Sequence, residues 1–240
     1  MTISRREVIR VSGSTLAGLS LGALTSENTH AQSVAPQAPW PEHLVERPLR
    51  EGFPAALPLN ADGSAPDYPS TAAGQITDPL MWRTTDRSTP PIEYDYNKLS
   101  VKVDTRGLAK LSGTMHFADL DKLPKVSHTF LLQCGTANPR GIVKWTGVRF
   151  SDFADSLGLV AGAHYCRFVA SDKMYIDEAL ETLRRPQVML AWLMNDAPIP
   201  PRHGAPLRLV VPFRYGNRSI KAITEIMFAT PGLPMPPLAG

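Results

Sequence analysis

The sequence predicts an α+β domain. Strand-like and helix-like segments are mixed along the chain without the regular strand–helix rhythm of a parallel α/β sheet. No internal repeat, no Gly-x-Gly-x-x-Gly and no phosphate-loop signature is present. Hydrophobic residues make up 43% of the 240, enough to fill one interior.

The first segment reads as an address. Ser4-Arg5-Arg6-Glu7-Val8-Ile9 is a charged start, Val11 to Leu24 is weakly apolar, and Thr29-His30-Ala31 is a small-residue cleavage site. Arg5 and Arg6 make residues 1–31 a twin-arginine signal, which sends the protein to the periplasm. The apolar stretch is about 14 residues, short of the ~20 that span a bilayer. No other apolar run reaches that length, so the mature chain is expected to have no transmembrane segment. The twin-arginine route exports folded proteins, commonly with a cofactor already inserted, so the signal points toward a cofactor protein.

Many of the 23 prolines follow, among them Pro36, Pro39, Pro41, Pro48, Pro54, Pro58, Pro66, Pro69, Pro79, Pro90 and Pro91. Proline removes a backbone donor and cannot sit inside long helices or central strands. Residues 32–77 are therefore expected to form an extended arm over the domain or a partner, with a plain linker as the alternative.

The ordered domain is expected from near residue 80. Leu99 to Asp104 alternates as a half-buried strand, and Gly107 turns the chain. Met115 to Leu123 predicts a short amphipathic helix that stops before Pro124. Val126 to Leu132 predicts a buried strand. Phe150 to Leu157 predicts a helix with Ser151 as N-cap and Gly158 as C-cap. Tyr165 to Ala170 predicts a strand, and Ile176 to Leu183 a helix with Asp177 and Glu178 in its first turn. Strands over Val188–Met194, Leu207–Pro212 and Ile220–Phe228 complete the domain. Its bounds are 78–230, and residues 231–240 form a proline-rich tail.

Charge and cysteine content exclude several classes. The net charge is +3, of which the signal (Arg5, Arg6 and Arg10 against Glu7 and Glu27) holds +1, leaving +2 for the mature chain. That balance argues against nucleic acid as a partner. Cys134 and Cys166 are the two cysteines. Two are too few for an all-thiolate zinc site or an iron–sulfur cluster, and there is no Cys-x-x-Cys-His for haem attachment. One Cys134–Cys166 disulfide is arithmetically possible. His116, His128 and His164 show no metal-ligand spacing, and Trp145 and Trp192 read as core.

Cys134 stands where the apolar run Phe130 to Leu132 gives way to Gly135, Asn138, Pro139 and Gly141, with Arg140 beside it. A thiol at a strand end next to exposed backbone N–H groups is placed to bind a metal or act as a nucleophile, with burial as a small core residue the alternative. Downstream, His203, Arg208, Arg214, Arg218 and Lys221 surround the apolar strand Leu207 to Val211, and Gly204 and Gly216 allow close backbone approach. Such cations at strand ends suit a phosphate or another anion.

Together these pieces resemble the molybdopterin-binding domain of the sulfite oxidase family. The likeness runs from Asp78-Pro-Leu-Met-Trp-Arg83 through Cys134, Gly141-Ile-Val-Lys-Trp-Thr-Gly-Val148 and Leu190-Ala-Trp-Leu-Met-Asn-Asp196. It continues to His203-Gly-Ala-Pro-Leu-Arg208 and Ser219-Ile-Lys221. It implies a mixed-sheet fold of sulfite-oxidase type and a molybdenum cofactor with one molybdopterin. It assigns Cys134 as the protein thiolate on the metal. Arg83, with Thr84 and Thr85, lines the pterin, Asp172 accepts from pterin N–H groups, and His203, Arg208, Ser219 and Lys221 hold the pterin and its phosphate. The family's Arg-Asn-His stands here as Arg83-Thr84-Thr85. The family's C-terminal dimerisation domain has no counterpart before Gly240.

The reaction implied is two-electron oxygen-atom transfer on a small substrate, with a sulfur oxyanion or a sulfoxide as candidates and Arg140 as a catalytic cation beside Cys134. Electrons would pass through a separate haem or cytochrome c partner. Two alternatives stand beside it: an accessory, noncatalytic pterin-binding subunit of a redox complex, and a cofactor-free protein in which Cys134 pairs with Cys166.

Overall fold

The computed structural model describes residues 56–76, 82–135 and 140–230. The twin-arginine segment, the front of the arm, Asp78, Asn138, Pro139 and the proline-rich tail lie outside them. In chain order the elements are β1 (Ser100–Asp104), β2 (Gly113–His116), α1 (Phe117–Leu120), β3 (Lys125–Gln133), β4 (Arg140–Arg149), α2 (Phe150–Leu157) and β5 (Tyr165–Ala170). There follow β6 (Tyr175–Ala179), α3 (Leu180–Leu183), β7 (Met189–Met194), β8 (Ala197–Pro198), β9 (Arg208–Val210) and β10 (Ile223–Ala229).

The strands form two sheets. One has the order β2-β1-β10-β5-β6, with β1 parallel to β10 and the other neighbours antiparallel. The other runs β3-β4-β7-β8, with β9 also paired to β7. This is the mixed-sheet α+β architecture that the sequence predicts. Both sheets turn apolar side chains into one core, in which Val101, Trp145, Phe168, Leu190 and Phe228 are buried. Helix α2 closes it. Phe150 meets the rings of Phe153, Phe168 and Phe228 at centroid distances of 5.8, 5.7 and 6.4 Å, the edge-on and tilted range that favours aromatic pairs.

Local pattern fixes several elements. The period-two alternation of β1 buries Val101 and Val103 and exposes Ser100 and Lys102. Helix α2 has the predicted bounds and ends at Gly158, in the left-handed region. Its N-cap, however, is Arg149 and not Ser151, because the Phe150 N–H is already held by the Val188 carbonyl at 2.9 Å.

Two predicted helices are only partly helical and begin as strand. In the expected helix from Met115 to Leu123, only Phe117–Leu120 is helical, because the preceding residues pair with β1. His116 turns extended chain into helix: its N–H donates to Asp119 Oδ2 at 3.0 Å, one half of a capping box. In the expected helix from Ile176 to Leu183, only Leu180–Leu183 is helical. Asp177 and Glu178 do not sit in the first turn of a helix but lie on β6, where Asp177 takes the Arg167 guanidinium at 2.7 Å and Glu178 takes Arg218 at 2.7 Å. Strand β4 was not among the predicted elements, although Val143 and Trp145 alternate on its buried side.

Contacts with the domain also begin well before residue 80. The backbone of Ala65 is bracketed by the Gln187 amide at 2.8 and 2.7 Å. The Asp67 carboxylate accepts from Thr129 N–H and pairs with His128, and Tyr68 N–H donates to the Thr129 carbonyl at 2.8 Å. Further on, Gly74 N–H reaches Ile142 O at 3.0 Å. Residues 65–74 thus lie along the outer strand β3 and the start of β4, supplying partners to backbone that an edge strand would leave bare. Among the described residues no helix is long and apolar enough to cross a membrane.

Candidate active site

Chain reversals at the ends of both sheets converge on one cavity of about 250 Å³. Strand β3 delivers Cys134 immediately after its last residue. The turn between β5 and β6 delivers Asp172 and Met174. The 3-10 turn Pro201–His203 and the first residue of β9 deliver His203 and Arg208, and the loop into β10 delivers Asn217, Ser219, Ile220 and Lys221. Ile76, Trp82 and Arg83 reach it from the proline-rich side of the chain.

Electrostatics mark the cavity as an anion site. Arg208 is 4% exposed, and its Nη1 donates to the His203 carbonyl at 2.7 Å, but its buried Nε finds no partner among the described residues. No carboxylate pairs with it there. Burial pulls its pKa down from the usual guanidinium range to about 10. Lys221 is pushed down from 10.5 to about 8, first by burial, then by Arg208, with Asp172 acting weakly the other way. A buried guanidinium without a counter-charge is costly, and with a half-buried ammonium beside it the pair is built to receive a negative group.

The glycine before β9 brings the cations together. Gly204 sits at φ +107, and a Cβ there would stand 2.7 Å from Lys221 Cβ and 2.9 Å from its Cα. A hydrogen at this position therefore lets Lys221 approach the His203 turn.

The structure gathers Arg83, Cys134, Asp172, His203, Arg208, Ser219 and Lys221 of the predicted set. Cys134 is 8% exposed on the cavity wall, and both cysteines are free thiols, so the Cys134–Cys166 pair is not formed. Cys166 is fully buried on β5, where burial pushes its thiol well up. Asp172 has structural partners: Oδ2 accepts Arg83 N–H at 3.0 Å and Oδ1 accepts Met174 N–H at 3.1 Å. Ser219 is 1% exposed, and its hydroxyl accepts the Val211 N–H at 3.0 Å.

Three predicted residues do not line the cavity. Thr84 donates its hydroxyl to Ser88 O at 2.7 Å within a turn, and Thr85 is exposed beside it. Arg140 opens β4 opposite Gln133, at the far side of the hairpin that carries Cys134. Of the downstream cations, Arg214 is exposed and Arg218 is engaged by Glu178. Trp82 is a lining residue that the sequence reading did not single out. Its signal was slight: one aromatic before an arginine, with its cavity partners far along the chain.

A metal here would need ligands that the protein does not supply alone. Among the described residues no three His, Cys, Asp or Glu side chains cluster for a metal ion. One thiol and two cations on the same cavity match a cofactor that brings its own metal ligands and an anionic tail.

A family model of the oxidoreductase molybdopterin binding domain matches residues 88–232. Among curated relatives, the protein-methionine-sulfoxide reductase catalytic subunit MsrP of Xanthomonas campestris is 32% identical over 106 residues, 36% of this chain and 32% of that one. Mouse mitochondrial sulfite oxidase is 28% identical over 241 residues, 88% of this chain and 43% of that one. Among solved structures, the sulfane dehydrogenase SoxCD from Paracoccus pantotrophus superposes with a TM-score of 0.53 at 16% identity, over 86% of this chain and 56% of that one. The fold is thus of sulfite-oxidase type, and the chain spans less than two thirds of the length of each of these proteins.

Proposed function

Because the chain belongs to the oxidoreductase molybdopterin binding domain family, we propose that it is a periplasmic molybdenum enzyme. In this reading it holds one molybdopterin, transfers an oxygen atom to or from a small sulfoxide or sulfur oxyanion, and exchanges electrons with a separate haem partner. The observation that carries the reading is the convergence of the Cys134 thiol with the buried Arg208 guanidinium and the Lys221 ammonium on one cavity. Relatives named as methionine sulfoxide reductase and sulfite oxidase support a sulfur-centred substrate. The twin-arginine pattern Arg5-Arg6 supports export.

When bound, the cofactor supplies a metal that exchanges two electrons and an oxygen atom with the substrate. The chain's own residues then have distinct tasks. Cys134 would give the metal a soft sulfur ligand. Arg208 and Lys221 neutralise the phosphate in a setting that excludes much of the water, where each charge acts more strongly. Asp172 keeps lone pairs for pterin N–H groups while holding the Arg83 turn against the cavity. Arg140 does not line the cavity, and in this reading it acts only through its charge, drawing in an anionic substrate from the strand paired with β3.

The test is a dye-linked assay on exported protein. Reduced viologen should be oxidised when methionine sulfoxide or dimethyl sulfoxide is added, or ferricyanide reduced when sulfite is added. Molybdenum-loaded protein inert in both directions contradicts an enzymatic role and leaves the accessory pterin-binding subunit.

A further inference from the structure

Both cavity cations are backed by indole rings. Lys221 Nζ lies 3.8 Å from the centroid of Trp82, and the Arg208 guanidinium carbon lies 5.1 Å from the centroid of Trp145. These are cation–π distances, well inside the ~6 Å limit, and the attraction grows when water is removed. An indole face stabilises the cation and leaves its charge available.

Trp82 holds its place by means other than a hydrogen bond from its side chain. It is 5% exposed, and its Nε1 is buried without a partner among the described residues. A buried N–H left unsatisfied is a cost and not a gain, so the ring is not explained by polar pairing. The next residue is tied down: Arg83 N–H donates to Asp172 Oδ2, and the Asp172 Oδ1 accepts Met174 N–H. This latch fixes the backbone beside Trp82 against the β5–β6 turn, on the same cavity that Lys221 lines.

We propose that Trp82 is a positioning residue. Its indole face holds the Lys221 ammonium toward the cavity in its charged form, and so sets how tightly an anionic cofactor tail is retained. The inference rests on the functional reading above and adds a residue that this reading does not use. Trp145 plays the same part for Arg208, but it is fully buried in the core, so its replacement would disturb the fold as well.

The experiment measures cofactor retention in full-length exported protein. Molybdenum and pterin are followed during dialysis for wild type, Trp82→Phe, Trp82→Leu, Lys221→Met and the double variant Trp82→Leu/Lys221→Met. Apoprotein melting temperatures are recorded alongside. Trp82→Leu should lose the cofactor about tenfold faster, as expected for a desolvated cation–π pair, while Trp82→Phe, which keeps a ring face, stays close to wild type. The double variant should lose it no faster than Lys221→Met, because the two residues act through one interaction. Retention in Trp82→Leu equal to wild type overturns the proposal, as do losses that multiply in the double variant. Wild-type protein that never holds molybdenum or pterin overturns the functional reading and this proposal with it. A loaded wild type with an equally retentive Trp82→Leu overturns this proposal alone.

Discussion

Arg208 carries the electrostatic logic of the site at the scale of single residues. It is a buried guanidinium with no carboxylate beside it among the described residues, and burial has drawn its pKa down to about 10. A buried charge with no counter-charge bears a desolvation cost that an apolar group of similar size does not. Arg208→Met should therefore leave the melting temperature of the cofactor-free protein unchanged or raised, while cofactor content falls. A large drop in melting temperature with full cofactor content would show that Arg208 serves the fold instead. Lys221 makes the site pH-dependent. The unfolded chain keeps this proton to about 10.5, and the folded chain releases it near about 8. Between those values unfolding takes up a proton, so the group's contribution to the stability of cofactor-free protein rises with pH from about 8 to about 10.5. Anion affinity moves the opposite way, because the ammonium is lost. Retention of the cofactor should thus weaken above about pH 8 in wild type, and this step should vanish in Lys221→Met. At Cys134 the serine variant should lose turnover while its melting temperature stays within a few degrees. Full activity in Cys134→Ser would remove the thiolate from the mechanism.

Among elements, the pairing of β4 with β7 is the most sensitive seam. A Cβ on Gly147 would stand 1.9 Å from Leu190 O and 2.7 Å from Ala191 Cα, both backbone. The register of β4 against β7 shifts between Thr146 and Gly147. Gly147→Ala cannot be absorbed by a side-chain rotation and should cost more than ~3 kcal/mol, at the severe end for point substitutions, read as a fall in the denaturant midpoint. Phe150→Ala, which leaves a hole among three other rings, should cost about 3–5 kcal/mol. Elements whose evidence is local were legible in the sequence. Strand β1 shows its alternation, β5 its β-branched and aromatic run, and α2 its amphipathic stripe and glycine stop. The misread elements are those where pairing overrides local preference. Asp177 and Glu178 look like first-turn acids of a helix until Arg167 and Arg218 arrive from other parts of the chain. The candidate site shows the same division. Cys134, His203, Arg208 and Lys221 announced themselves by residue type and by position at strand ends. Trp82 became visible only when the fold set it 3.8 Å from Lys221, because a ring stacked on a distant lysine leaves no pattern in local sequence.

The whole molecule is organised so that two sheets share one core and their chain reversals share one cavity. All described residues fall within one unit, Arg50–Gly240. The segment from Ala65 to Gly74 belongs to it through hydrogen bonds to Gln187, Thr129, Ile142 and Asn195. Because the cofactor would bind the folded chain and not the unfolded one, loading should raise the melting temperature, and stripping it should lower the temperature toward that of the apoprotein. Arg208→Met should show a smaller rise, since the cation proposed to meet the anionic tail is gone. The most direct measurement is the metal and pterin content of protein exported by cells able to build the cofactor. One molybdenum and one pterin per chain is the predicted result, and such protein free of both would contradict the account.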